Sequence, residues 1–384
     1  MAAASIRHPL RTWFGPGAAA RLKEEAEFLG AKRALLFTDK GVLGAGVADK
    51  ALAPLRAAGA EVAVYDACPP EPAIGDLEAA HALFRGDRFD LVVGVGGGSS
   101  MDMAKSVGAL LGNKGAPRDY LGVELLPRPG VPTALLPTTS GTGAEATPNA
   151  IFSVPEQQVK LAIVSTYIIP RAAVVDPELT LSCPPKVTAA AGVDALTHCL
   201  ESYVNPNSHP LSELYSVRGM ELIAGALRRV CRDGGDLAAR SDMALGAYYG
   251  GVALAGAGAG AIHALAYPLG SRFHIPHGVS NSLMFSHVMR WNCEAAPAKF
   301  ARIARILGEE TDGLPERRAA ERAVGAVERL CKDCGVPTRL SEVGVPAHVI
   351  PELAEAAAKL ERLLTNNPRK LTQEDIEAIY RAAA

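Results

Sequence analysis

Hydrophobic and polar positions follow two different rhythms along this chain. In the first half, short β-rich apolar runs recur: "RALLFTD" (33–39), "EVAVYD" (61–66), "FDLVVGVGG" (89–97), "VPTALLPTT" (131–139) and "RAAVVDP" (171–177). Helical stretches lie between them at 45–58, near 75–86 and from about Ser99 onward. Strands alternating with helices predict a parallel sheet with helices on both faces. Near residue 182 the rhythm becomes helical and stays so to the C-terminus. The expectation is therefore an α/β domain with a parallel sheet over 1–181, followed by an all-α domain over 182–384. Thr372 stands three residues before Asp375, the pattern of an N-cap with an acidic first turn, which predicts a docked C-terminal helix.

Composition narrows the function classes. A length of 384 residues suits two domains. The 39 basic and 41 acidic residues nearly cancel, so the chain carries no electrostatic footprint for nucleic acid or an anionic membrane. Residues 244–271 hold no formal charge and are long enough to span a bilayer. They are rich in Ala and Gly, contain a His and a Pro, and show GxxxG spacings from Gly246 and Gly256. Their expected role is a closely packed, buried helix pair with no membrane contact. The seven cysteines are odd in number and scattered, and the N-terminus has no apolar run after its charges. Both features point to a reducing cytoplasm. Cys331 and Cys334 form a CxxC, but without the second ligand pair of a zinc ribbon or the βαβ setting of a thioredoxin motif. They read as a helix end before Gly335 and Pro337.

Two glycine-rich segments follow predicted strands. "GVGGGSSMDMAKSVGALLG" starts at Gly94, and Ser99 or Ser100 then opens a helix whose positive end favours phosphate. The letters fit neither the GxGxxG nor the Walker pattern. A pyrophosphate cradle or a ligand-free tight turn would both use such a loop. "LPTTSGTGAE" (136–145) places Thr138, Thr139 and Thr142 at the carboxyl end of another strand, where open α/β sheets bind ligands. Two such loops favour a dinucleotide over a single phosphate. Asp39, ending the first strong strand, would accept hydrogen bonds from a ribose and repel a 2′-phosphate, favouring NAD over NADP. An ordinary turn aspartate before Gly41 would look the same.

The histidines raise a second chemistry. Six of the nine lie between 198 and 287, so the search for a metal site concentrates there. In "GVDALTHCLESY" (192–203), Asp194 and His198 are four apart and share a helix face. "HALAYPLGSRFHIPHG" (263–278) adds His263, His274 and His277. The set Asp194, His198, His263 and His277 offers one carboxylate, three imidazoles and no thiolate, which suits Fe(II), Zn(II) or a similar divalent ion. Such a site can be structural. With a coordination position left open it polarises an alcohol or carbonyl oxygen, a chemistry that pairs naturally with hydride transfer to nicotinamide.

Many ordered motifs resemble the iron-containing (group III) alcohol dehydrogenases, nearly end to end. They are "FGPGA" (14–18), "TDKGV" (38–42), "GGGSSMDMAK" (96–105), "PTTSGTGAE" (137–145), "DPELT" (176–180), "GVDALTHCLESYV" (192–204), "HALAYPLG" (263–270), "PHGVSN" (276–281) and "NPR" (367–369). The resemblance implies an N-terminal nucleotide domain, a helical C-terminal domain and a divalent metal, usually iron and sometimes zinc, at Asp194, His198, His263 and His277. It implies NAD contacts at Asp39, Gly97, Gly98, Ser99, Thr138, Thr139, Thr142, Lys160 and Leu179. It also implies a homodimer or higher oligomer built through an N-terminal strand around residues 5–13.

Two departures stand out. Glu71, in "PEPA" (70–73), replaces an Asn that often touches the cofactor in the family, and Tyr267 replaces a His proposed there as acid/base. An unperturbed Tyr, with a pKa near ~10, relays a proton better than it abstracts one. His274 is the alternative acid/base. Arg272 and His274 would attract an anionic substrate if they faced the metal. The expected activity is metal-dependent NAD(H) alcohol dehydrogenase or aldehyde reductase chemistry on a small alcohol or hydroxy acid. The rival readings are a non-redox, NAD- and metal-using lyase on the same scaffold, and a metal-stabilised binding protein without turnover.

Overall fold

The structure, a computed structural model, describes residues 4–157 and 159–384. It groups them into two compact units, one of residues 7–183 and one of Pro184–Ala384 together with the segment ending at Ile6.

The first unit is built on nine strands: β1 Arg11–Phe14, β2 Arg33–Phe37, β3 Glu61–Tyr65, β4 Leu91–Gly96, β5 Gly122–Val123, β6 Thr133–Pro137, β7 Asn149–Val154, β8 Val159–Val164 and β9 Ala172–Val175. Six form a fully parallel sheet in the order β1-β9-β6-β4-β2-β3. The period-2 alternation of each strand feeds two separate apolar layers. Leu35 and Phe37 pack on one face of the sheet, and Ala34 and Leu36 on the other. Around it lie α1 Leu22–Leu29, α2 Lys40–Gly44, α3 Asp49–Ala57, α4 Ile74–Phe84 and α5 Gly98–Leu111. After β2 the chain steps to β3 on one side and then to β4 on the other. The β2/β4 boundary is thus the topological switch, where strand ends leave a crevice for a ligand.

Three points go beyond the sequence expectation. β5, β7 and β8 make a second small sheet, with β7 and β8 antiparallel. The helix expected at 45–58 is α3, Asp49–Ala57, and a short helix that the sequence did not suggest, α2, precedes it. The N-terminal strand is Arg11–Phe14, paired with β9 along its own sheet, while residues 4–9 carry no strand. The "FGPGA" motif has a structural reason as well. Asp176, just after β9, accepts hydrogen bonds from Gly17 N at 3.1 Å and Ala19 N at 2.9 Å.

The second unit is helical: α6 Pro185–Val204, α7 Pro210–Arg232, α8 Leu237–Ala257, α9 Ala261–Phe273, α10 His277–Asn292, α11 Pro297–Ile306, α12 Glu316–Asp333, α13 Ile350–Ala358, α14 Glu361–Leu364 and α15 Gln373–Ala383. The charge-free stretch is the α8–α9 pair, bent by 107° and largely buried. No single described helix is long and apolar enough to cross a membrane. Glycines let these helices approach closely: a Cβ at Gly246 would meet Ile223 Cγ1 at 2.7 Å. Thr372 caps α15 as expected, accepting from Asp375 N at 3.2 Å. Cys334 is the C-cap of α12, with Gly335 left-handed after it at φ 68°.

Candidate active site

The carboxyl ends of β2, β4 and β6 carry the loops singled out above. Asp39 N-caps α2: its Oδ1 accepts from Gly41 N at 2.8 Å and Val42 N at 3.0 Å. The turn-aspartate role is therefore real, and it leaves the second oxygen for other work. Asp39 Oδ2 lies 3.6 Å from where a Cβ of Gly96 would stand. Gly96 needs to be glycine, because its φ is +155° and a Cβ would press on Ser100 Oγ at 2.6 Å. Gly97 is the N-cap of α5 and contributes no side-chain cap, so side chains do not occupy the first N–H groups of that helix. The two glycine loops interlock here. A Cβ on Gly98 would meet Thr142 Cγ2 at 2.7 Å, and one on Gly97 would stand 3.7 Å from Thr139 Oγ1.

Ser99 and Lys160 reach the same place through Glu71. Glu71 N donates to Ser99 Oγ at 3.1 Å, and Lys160 Nζ donates to Glu71 Oε2 at 2.8 Å. Glu71 is left-handed at φ 50°, a conformation that costs a non-glycine residue energy, and its buried Oε1 has no partner. Thr138 is buried, its N–H bonded to Gly96 O at 2.9 Å. Leu179 sits deeper, in the apolar layer with Val95 and Val174. Asp39, Gly97, Gly98, Ser99, Thr139, Thr142 and Lys160 are thus neighbours around one strand–helix turn. These half-buried polar groups suit a phosphate flanked by ribose hydroxyls.

In the helical unit, four side chains from three helices converge. Asp194 and His198 come from α6, His263 from α9 and His277 from the first turn of α10. Their donor atoms lie within 4.8 Å of one another. Asp194 Oδ1 is 3.7 Å from His198 Nε2, 3.7 Å from His263 Nε2 and 3.5 Å from His277 Nε2. Tetrahedral ligands at the usual metal distance of about 2.1 Å are about 3.4 Å apart, so the set fits a first-row divalent ion. Asp194 is 2% exposed. Burial opposes its charge, but His198, then His277 and His263, hold its pKa well below the usual carboxylate range. Burial likewise disfavours a charged His263, yet Glu201, ahead of Asp194, carries its pKa up to about 9. The cluster draws positive charge into a buried place, as a cation site must.

Tyr267 lies one helical turn beyond His263. Its ring centroid is 6.4 Å from that of His263 and 5.9 Å from that of His277, and the residue is 8% exposed. His274 is placed differently: it is exposed and ends α9 as a left-handed C-cap at φ 55°. Arg272 is exposed too, paired with Glu352 and stacked by Phe273 at 5.7 Å. That partner is on α13, and the pair lies at the surface.

Known sequences decide the family. One sequence model, described as iron-containing alcohol dehydrogenase, matches residues 9–177, and another, described as the C-terminal part of the Fe-containing alcohol dehydrogenase family, matches 188–384. The chain belongs to the iron-containing alcohol dehydrogenases. It is an oxidoreductase acting on CH–OH groups. It is 41% identical over 386 residues to long-chain-alcohol dehydrogenase 1 of Geobacillus thermodenitrificans (strain NG80-2), covering 100% of this chain and 97% of the relative. It is 36% identical over 376 residues to the NAD-dependent methanol dehydrogenase of Bacillus methanolicus, covering 98% of each. Its fold matches a crystal structure of 1,3-propanediol oxidoreductase with a TM-score of 0.96, at 38% identity and full coverage of both chains.

Two residues of this dehydrogenase's histidine cluster were not singled out from the sequence. Asn281, four residues after His277 on α10, donates from Nδ2 to Asp194 Oδ1 at 2.7 Å, while its buried Oδ1 has no partner. Glu201, three residues after His198 on α6, accepts from His263. The spacings D-x3-H-x2-E and H-x3-N each place the extra residue on its ligand's helix face, and that was the available signal.

Proposed function

We propose that this dehydrogenase transfers hydride reversibly between a small primary alcohol or its aldehyde and NAD(H), with a divalent ion held by Asp194, His198, His263 and His277. The convergence of those four donors, three of them buried and His277 half-buried, is the observation that carries the reading. Iron is the ion the family name favours, and the same donors accept zinc. Bound there, the ion would supply Lewis acidity at the substrate oxygen.

The remaining work falls to the chain. The uncapped first turn of α5 and the Gly96–Gly98 turn bind the pyrophosphate. Asp39 accepts from a ribose and rejects a 2′-phosphate, which selects NAD. Ser99, Thr138, Thr139, Thr142 and Lys160 supply further polar contacts, and Leu179 an apolar one. Tyr267, packed against His277, relays the hydroxyl proton outward, and His274 at the exposed end of α9 is the alternative route. The relatives' names, covering long-chain alcohols, methanol and 1,3-propanediol, support a search among primary alcohols and diols. We further place the chain in the cytoplasm, in line with its seven free thiols, and as a homodimer or higher oligomer through the β1 edge, where Leu10 and Phe14 are exposed.

Asp194→Asn tests the ligand assignment by metal analysis. Removing the shared carboxylate charge should strip metal to well below one ion per chain and abolish NADH turnover together. A variant that keeps both would remove Asp194 from the site.

A further inference from the structure

Behind the proposed ligands stands a carboxylate that the scheme above leaves unused. Glu201 is 4% exposed and continues the Asp194–His198 stripe along α6. Its two oxygens have separate partners on α9. Oε2 accepts from His263 Nδ1 at 2.5 Å. Oε1 accepts from Ile262 N at 2.6 Å. Ile262 is in the first turn of α9, whose N-cap, Gly260, has no side chain to satisfy it. Glu201 therefore caps α9 from a neighbouring helix. A Cβ on Gly260 would stand 3.2 Å from Oε1, so glycine leaves the carboxylate room to enter.

We propose that Glu201 is the positioning residue of the metal centre, fixing His263 as a ligand. This rests on the ligand assignment made above. With the Nδ1–H committed to Oε2, the lone pair of His263 is on Nε2, the atom that lies 3.0 Å from His198 Nε2 and 3.7 Å from Asp194 Oδ1. The bond from Ile262 to the same carboxylate fixes the height of the ring, because it pins the helix turn that carries it. Charge points the same way. Asp194 and Glu201 are two buried carboxylates beside three imidazoles, and together they balance one divalent cation in a place where unbalanced charge is costly.

The test uses the full-length chain, stripped of metal anaerobically. Zn(II) affinity is measured by competition with a chromophoric chelator, Co(II) coordination by its visible absorption, and folding by circular dichroism and thermal melting. Glu201→Ala should weaken Zn(II) binding by roughly 10–100-fold and shift the Co(II) bands. Glu201→Gln, which keeps one carbonyl acceptor for two donors, should fall between. Thr372→Ala serves as control: loss of the α15 cap should lower the melting temperature and leave Zn(II) affinity unchanged. A folded Glu201→Ala with wild-type affinity and Co(II) spectrum overturns the proposal. If that variant does not fold, Glu201→Gln decides, and an unchanged affinity and spectrum overturn it equally. A wild-type chain that binds neither ion refutes the ligand assignment itself, and the role of Glu201 with it.

Discussion

Tyr267 stands where the family resemblance implies a histidine, and its ring packs against His277. A phenol at an ordinary pKa is a weak base at neutral pH, so the substitution changes how a proton leaves more than whether the alcohol binds. Tyr267→Phe keeps the ring and removes only the hydroxyl. It should lower kcat by about 10²-fold, at the lower end of what acid–base groups contribute, with metal content and NAD affinity unchanged. Wild-type kcat in that variant, with loss in His274→Ala, would move the relay to His274. At this scale the clustering of the four donors was legible because Asp194 and His198 share a helix face and "HALAYPLGSRFHIPHG" supplies further histidines. Glu201 and Asn281 were not. An acid and an amide at helical spacing look like solvated face residues until α9 and α10 are folded against α6. The pairing of Arg272 with Glu352, eighty residues on, was not legible either.

The elements that position the cofactor loops depend on a buried lysine. Lys105 on α5 is fully buried and donates to Ala144 O at 3.0 Å and Thr147 Oγ1 at 3.2 Å, while pairing with Asp102 Oδ1 at 3.1 Å. It ties α5 to the chain just after Thr142. Glu145 is beside it, and burial, only partly offset by a backbone hydrogen bond and then by Lys105, raises its carboxyl from the ordinary 4.5 to about 7. The folded state thus holds this proton more tightly than the unfolded chain does. The fold pays no penalty below about pH 4.5 and loses stability as pH rises through 7, on the order of 3 kcal/mol in full. Glu145→Gln should therefore gain melting temperature over the wild type progressively from pH 5 to pH 8. A difference that does not vary with pH would show that Glu145 ionises normally. Five of the six main strands were readable as short apolar runs, β4, β6 and β9 being buried throughout, whereas β1 alternates half-buried and exposed residues and makes no such run. The β7–β8 pair escaped because β7 alternates buried and half-exposed residues and β8 is mostly half-exposed. The five-residue α2 escaped because it is held by the Asp39 cap and is too short for periodicity to show.

For the whole molecule, the rhythm of the sequence changes near residue 182, and the chain groups into one compact unit of residues 7–183 and another of Pro184–Ala384 with the segment ending at Ile6. The Ala- and Gly-rich stretch is explained by the sharp α8–α9 bend, which lets α9 carry His263 against α6. The proposed reaction needs two chemistries, a dinucleotide at the sheet's switch point and a metal in the helical cluster. The measurement that tests it most directly is anaerobic NADH absorbance on metal-stripped enzyme reloaded with Fe(II), Zn(II) or nothing, across primary alcohols, diols, hydroxy acids and their aldehydes. A metal-dependent dehydrogenase gives NADH change only in reloaded samples and with one substrate class above the others. Equal turnover with and without metal, or none in any combination at full metal occupancy, would contradict it.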